Sequence, residues 1–130
     1  MDALSRYGES LRFDILTTPR RPALERLRAH FEFLSEDTTG SGFARGCLAG
    51  NFTAEVADHS PEVRSAVRAG FDQWALLIGQ VLTEAQQAGE LNRALDAAAA
   101  AVFILSAWEG TLLVARADKS AAPFDAFFTI

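Results

Sequence analysis

SPEVRSAVRAGFDQWALLIGQVLTEAQQAG, residues Ser60 to Gly89, is the stretch on which the fold turns. Ser60 offers a hydroxyl that can cap a helix. Pro61 suits the first helical position, where a missing N–H costs nothing, and Glu62 sets a negative charge against the positive end of the helix dipole. From there Val63, Val67, Phe71, Trp74, Ile78, Val81 and Ala85 recur every three or four residues without a break. That spacing lays apolar side chains along one face of a helix. Gly89 takes readily to the left-handed conformation that ends a helix. The stretch therefore predicts one long amphipathic helix, to about Ala88, which needs other helices to cover its apolar face.

The flanking sequence supplies them. After a short connection from Glu90 to Leu95, Asp96 is placed to cap a helix reaching about Ala117. Its Ala97 to Ala101 run, followed by Val102, Phe103, Ile104 and Leu105, is apolar on nearly every side, so it has to be covered on both sides, in part by another subunit. Pro123 opens a last helix bearing Phe124, Phe127 and Phe128. Upstream, Leu48, Phe52 and Val56 mark a helix from about Ala44 to Asp58, preceded by a polar, glycine-bearing loop from Glu36 to Gly42. Pro22 opens a helix carrying Leu24, Leu27, Phe31 and Leu34, and a first helix, from about Asp2 to Leu16, is ended by Thr17-Thr18-Pro19. No segment alternates with period two. The expectation is a single all-α bundle over residues 1–130, with about six helices.

Composition narrows the function. The 130 residues are 49% hydrophobic and 22% charged with a net charge of −5, a globular balance for one domain. Lys119 is the only lysine and the arginines are scattered among acids, so the cationic cluster that displaces counterions from DNA is missing and this chain alone is not expected to bind nucleic acid. The single cysteine, Cys47, excludes an internal disulfide and a multi-cysteine zinc site. Glu109 interrupts the most apolar stretch and the N-terminus has no signal layout, which points to a soluble cytoplasmic protein rather than a membrane one. His30 and His59 are too far apart in sequence to suggest a metal site, and there is no nucleophile elbow, phosphate loop or His-Glu-x-x-His. Neither an enzyme nor a cofactor is expected.

The order of motifs resembles that of the TetR family of transcriptional repressors. The likeness is carried by Arg45-Gly46-Cys47-Leu48-Ala49-Gly50-Asn51-Phe52, Ala54-Glu55-Val56-Ala57-Asp58 and Ser60-Pro61-Glu62-Val63-Arg64. Phe71, Trp74 and Glu84 to Leu91 follow, then Trp108-Glu109-Gly110-Thr111-Leu112-Leu113-Val114-Ala115-Arg116, with Ser120 and Pro123 closing the pattern. The resemblance implies the C-terminal effector-binding and dimerisation domain of a homodimeric repressor. In such a protein a small molecule entering the helical domain releases DNA held by an N-terminal head. Residues 1–16 then resemble the end of the linker helix, the head being absent from this sequence. A headless interaction module that pairs with a full-length regulator is the alternative.

Candidate residues follow from both readings. Phe31, Phe52, Phe71, Trp74, Phe103 and Trp108 either wall an apolar effector cavity or are plain core. Asn51 has an amide for an effector or for a turn. Cys47, beside Arg45 at a helix start, is either a reactive redox-sensing thiol for an electrophile or oxidant, or a small buried gap-filler. Glu109 either lines the effector pocket or pairs with Arg116, two turns on, across a dimer. The last two helices are the ones that pair between subunits in the family, which places Val102, Leu105, Leu112, Leu113, Arg116, Phe124 and Phe127 at a dimer interface. The interior glycines Gly70, Gly79 and Gly110 suit close helix approach or ligand room.

Overall fold

The computed structural model describes residues 11–43 and 61–129. Among these the chain is all-helical: α1 Phe13–Thr17, α2 Ala23–Gly40, α3 Pro61–Gln87, α4 Ala97–Asp118 and α5 Ala122–Thr129. The helix expected from Ala44 to Asp58 lies outside the described residues. α3 packs along α4, α4 against α5, and α1 and α2 close the other side of α3.

The long helix forms as its sequence predicts. Pro61 begins it, and Val67, Trp74, Ile78, Val81, Leu82 and Ala85 are buried on one face. It stops at Gly89, whose φ is 80°. Beyond it the Glu90 N–H donates to the Ala85 carbonyl at 2.8 Å, and that of Gly89 to Gln86 at 3.2 Å, the paired closure of a left-handed C-cap. The Asp96 side chain accepts from the Ala99 N–H at 3.0 Å and starts α4. Gly79 faces α4, where an added Cβ would meet the Ala101 Cβ at 3.8 Å and the Ala97 carbonyl at 3.9 Å. The two axes run close there because small residues meet small.

Two boundaries depart from expectation. α2 runs through the predicted Glu36–Gly42 loop as far as Gly40. Its buried series is Ala23, Arg26, His30, Leu34 and Thr38, with Phe31 beside it, so Thr38 is one more step of the inward face, and packing there outweighs the polar composition. The stop comes at Gly42 and Phe43, with φ of 67° and 65°. The first helix is not continuous to Leu16 from the N-terminus. Arg12 has φ 56° and ψ 54°, which no helix passes through, and α1 begins only at Phe13. The Arg12 guanidinium forks onto Asp14 at 2.8 and 2.9 Å and its carbonyl accepts from the Ile15 N–H at 3.0 Å.

α4 is long and apolar enough to cross a membrane by length and composition. In the structure Ala101, Leu105, Trp108, Leu112 and Ala115 form its one buried face, against α3 and α5, and most of its remaining surface is exposed.

Candidate functional site

The inward faces of α2, α3, α4 and α5 bring their aromatic residues into one cluster. Phe31 is the hub. Its ring centroid lies 5.0 Å from those of His30 and Trp108, 5.3 Å from Phe127 and 6.4 Å from Trp74. Phe13 of α1 reaches the same group, 6.1 Å from both His30 and Trp74. Phe71 stacks on Trp74 at 6.4 Å, and Trp108 is covered by Phe124 at 5.5 Å and Phe127 at 5.2 Å. Phe31, Phe71, Trp74 and Trp108, singled out from sequence, thus converge. Cys47, Asn51 and Phe52 lie outside the described residues.

His30 is the residue that sequence reasoning passed over. It is fully buried, and its Nε2 accepts a hydrogen bond from the Trp74 Nε1–H at 3.1 Å. Accepting at Nε2 puts the ring proton on Nδ1. Nδ1 has no hydrogen-bond partner. Burial pushes the imidazole pKa down to about 4, against weaker upward pulls from the Arg12 backbone and the Asp14 charge, so the ring is neutral at physiological pH. The Trp108 indole N–H is likewise buried without an acceptor.

Arg26 was also missed. It is only 5% exposed. Its Nη1 donates to the Leu16 carbonyl at 2.7 Å, its Nε to the Arg21 carbonyl at 3.0 Å, and its Nη2 pairs with Glu84. One guanidinium thereby fastens the end of α1, the α1–α2 turn and α3 to one another. The signal for both residues was present in the sequence: Ala23, Arg26, His30, Leu34 and Thr38 step by three or four, a helical face with polar members.

Burial sorts the remaining candidates into inner and outer ones. Phe103 does not face the aromatic cluster; it is 71% exposed on the outer side of α4, about 140° around the helix from Trp108 at about 100° per residue. Leu105, Leu112 and Phe124 do not face outward. They are buried in the chain's own core, and Phe127 packs on Phe31 and Trp108. Val102 and Leu113 do lie outside, with Val114 beside them, at 57%, 72% and 48% exposure. Glu109 is half-buried and lines a groove of about 420 Å³ between α3 and α4, with Arg68, Phe71, Asp72 and Ser106. Arg116 is half-buried one heptad further along α4, and each of the two has an interaction partner. Among the described residues no group of three or more His, Cys, Asp or Glu side chains is arranged to hold a metal ion.

Residues 23–130 match the family described as tetracyclin repressor-like, C-terminal domain. The HTH-type transcriptional repressor DhaR of Mycobacterium sp. (strain GP1) is 30% identical over 109 residues, covering 84% of this chain and 53% of that protein. The transcriptional regulator AcuR of Cereibacter sphaeroides is 33% identical over 104 residues, covering 80% and 48%. The crystal structure of regulatory protein TetR from Rhodobacter sphaeroides superposes with a TM-score of 0.88 at 30% identity, over 96% of this chain and 66% of that one. The chain thus spans about half the length of the curated relatives it matches. With the all-helical order, the matched family and these relatives in agreement, this chain belongs to the TetR family of transcription regulators, a family without catalytic activity, and carries its C-terminal regulatory domain.

Proposed function

We propose that this chain is the effector-binding and dimerisation domain of a cytoplasmic TetR-type repressor, in which a small molecule held among the helices releases DNA in the intact protein. The observation that carries the dimer half of this reading is the outer face of α4. Val102, Phe103, Leu113 and Val114 form an exposed apolar face opposite the buried one, with the exposed Gly110 between them and nothing within 4 Å of the place its Cβ would take. A contiguous apolar surface of this kind is a site for another protein surface, and a bare glycine lets a second helix approach closely. The effector half is supported by the aromatic hub on Phe31, which joins four helices. Displacing any one of them changes the others, which suits a domain that turns occupancy into movement. The name of the repressor DhaR is consistent with the repressor sense of the regulation. Cys47 enters this reading from its sequence setting alone, as an oxidant-responsive thiol.

Light scattering at several concentrations, with and without reductant, is the test. The expected result is a dimer that survives reductant and is lost in the double variant Phe103→Glu/Leu113→Glu. A wild-type chain that stays a well-folded monomer at several hundred micromolar would refute the interface. A dimer lost on reduction would move the contact to Cys47.

A further inference from the structure

Two buried hydrogen-bond donors belong to rings that pack on Phe31. The His30 Nδ1 has no partner, because Nε2 is taken by Trp74 and so fixes the proton on Nδ1. The Arg12 backbone lies near enough to favour that proton without completing a hydrogen bond. The Trp108 Nε1–H is surrounded by Phe31, Phe124 and Phe127, none of which offers a lone pair. Phe31 is common to both sets of neighbours, its centroid 5.0 Å from each donor ring. Buried polar groups in folded proteins are nearly always satisfied, and each exception asks for a reason. Here there are two in one aromatic cluster, although a phenylalanine at position 108 would remove one of them without touching the other.

We infer that the His30 and Trp108 N–H groups are the polar recognition points of the effector site, and that the ligand is a compact, mostly apolar molecule with a neutral carbonyl acceptor. This rests on the reading of the domain as effector-binding. The apolar requirement comes from the rings that surround both donors. The acceptor requirement comes from the donors themselves, which only a lone pair can satisfy. Neutrality follows from charge: the His30 ring is uncharged, Arg12 pairs with Asp14, and the buried Arg26 guanidinium one turn away is taken by two carbonyls and Glu84, so a carboxylate brought in here would lose its hydration with no free cation to receive it. Because Phe31 touches both donor rings and is buried with them, admission of the ligand requires that its ring move.

The test uses a matched pair of probes, acetophenone and ethylbenzene, alike in ring and size and different in the carbonyl. Binding to the whole chain is followed by quenching of tryptophan fluorescence and by calorimetry. Acetophenone is expected to bind at least tenfold more tightly than ethylbenzene, since a buried donor left unpaired penalises the hydrocarbon. In Trp108→Phe, and in His30→Phe/Trp74→Phe, which removes the His30 donor without leaving the Trp74 N–H unpaired, that preference falls to threefold or less, with circular dichroism checking the fold. Should the double variant fail to fold, Trp108→Phe decides alone, because it keeps a ring in place and removes only the donor and part of the indole. Equal binding of the two probes overturns the acceptor assignment and leaves the effector-binding reading standing. A preference that persists in the variants overturns it too, by placing the donor elsewhere. If neither probe binds at its solubility limit, the aromatic cluster is not the effector site and both readings fall.

Discussion

Replacing Arg26 by methionine isolates the contribution of its guanidinium, because the stem volume stays and the donors go. Three contacts are lost: to the Leu16 carbonyl at 2.7 Å, to the Arg21 carbonyl at 3.0 Å, and to Glu84. Hydrogen bonds from a charged donor contribute about 1.5–3 kcal/mol each, and a carbonyl left buried without a partner costs about 1–3 kcal/mol. The ion pair adds less, since the Glu84 side chain is 52% exposed and screened by water. Against this, taking a guanidinium out of a 5% exposed site recovers its desolvation penalty. The net expected loss is about 2 kcal/mol for Arg26→Met and about 1 kcal/mol for Arg26→Lys, which keeps the charge without the fork. Glu84→Gln should lose under about 0.5 kcal/mol. With a urea m-value of about 2 kcal/mol/M, Arg26→Met moves the unfolding midpoint down by about 1 M. Circular dichroism in a urea titration reads this directly. A midpoint for Arg26→Met within about 0.2 M of wild type, or a larger loss for Glu84→Gln than for Arg26→Met, would show that the carbonyl contacts do not hold α1 to the bundle.

His30 makes stability depend on pH. Its folded pKa of about 4 lies below the ordinary 6.5, so the unfolded chain binds the extra proton and stability falls as pH drops from about 6.5 towards 4, by roughly 3 kcal/mol in all; in His30→Gln, urea titrations across that range should lose this component of the slope. Gly110→Ala has open space for its methyl group, so it should raise the melting temperature of dilute, monomeric protein by the equivalent of about 1 kcal/mol. The same change should weaken dimerisation in light scattering if a second helix approaches at that point, and an unchanged dimer would rule that approach out. Asp96→Ala removes the cap on Ala99 and should cost about 1 kcal/mol in urea unfolding.

How much of this was legible in the sequence differs from helix to helix. α3 could be read almost whole, because its start, its stripe and its stop are local signals: Pro61, the Val67 to Ala85 spacing, and Gly89. Asp96 announced α4 for the same reason. α2 was legible as a helix but not in its inward face. Leu24 and Leu27 drew attention, whereas the buried positions include Arg26 and His30, and only their partners across the bundle, Leu16, Glu84 and Trp74, make those residues acceptable inside. The faces of α4 were hardest. That helix is apolar all round, so hydrophobicity does not distinguish Leu105 and Leu112 within from Phe103 and Leu113 without. Composition and spacing singled out Phe31, Phe71, Trp74 and Trp108 but equally Phe103, which lies outside, and the convergence of Phe31, Trp74 and Trp108 is a matter of tertiary geometry.

The left-handed turn at Arg12 has a mechanical consequence. A straight helix passes twist and tilt along its axis as a shaft does, but a residue with φ of 56° is an elbow. Leu11, on the other side of the elbow, is buried in the core, so its position relative to α1 is governed by a single pair of dihedral angles, braced from outside by the Arg12 fork on Asp14. One residue past the elbow, Phe13 rests against both His30 and Trp74. A displacement of the aromatic cluster felt at Phe13 reaches Leu11 only through the dihedral angles at Arg12, so stiffness at Arg12 matters more to what is transmitted than the size of the push.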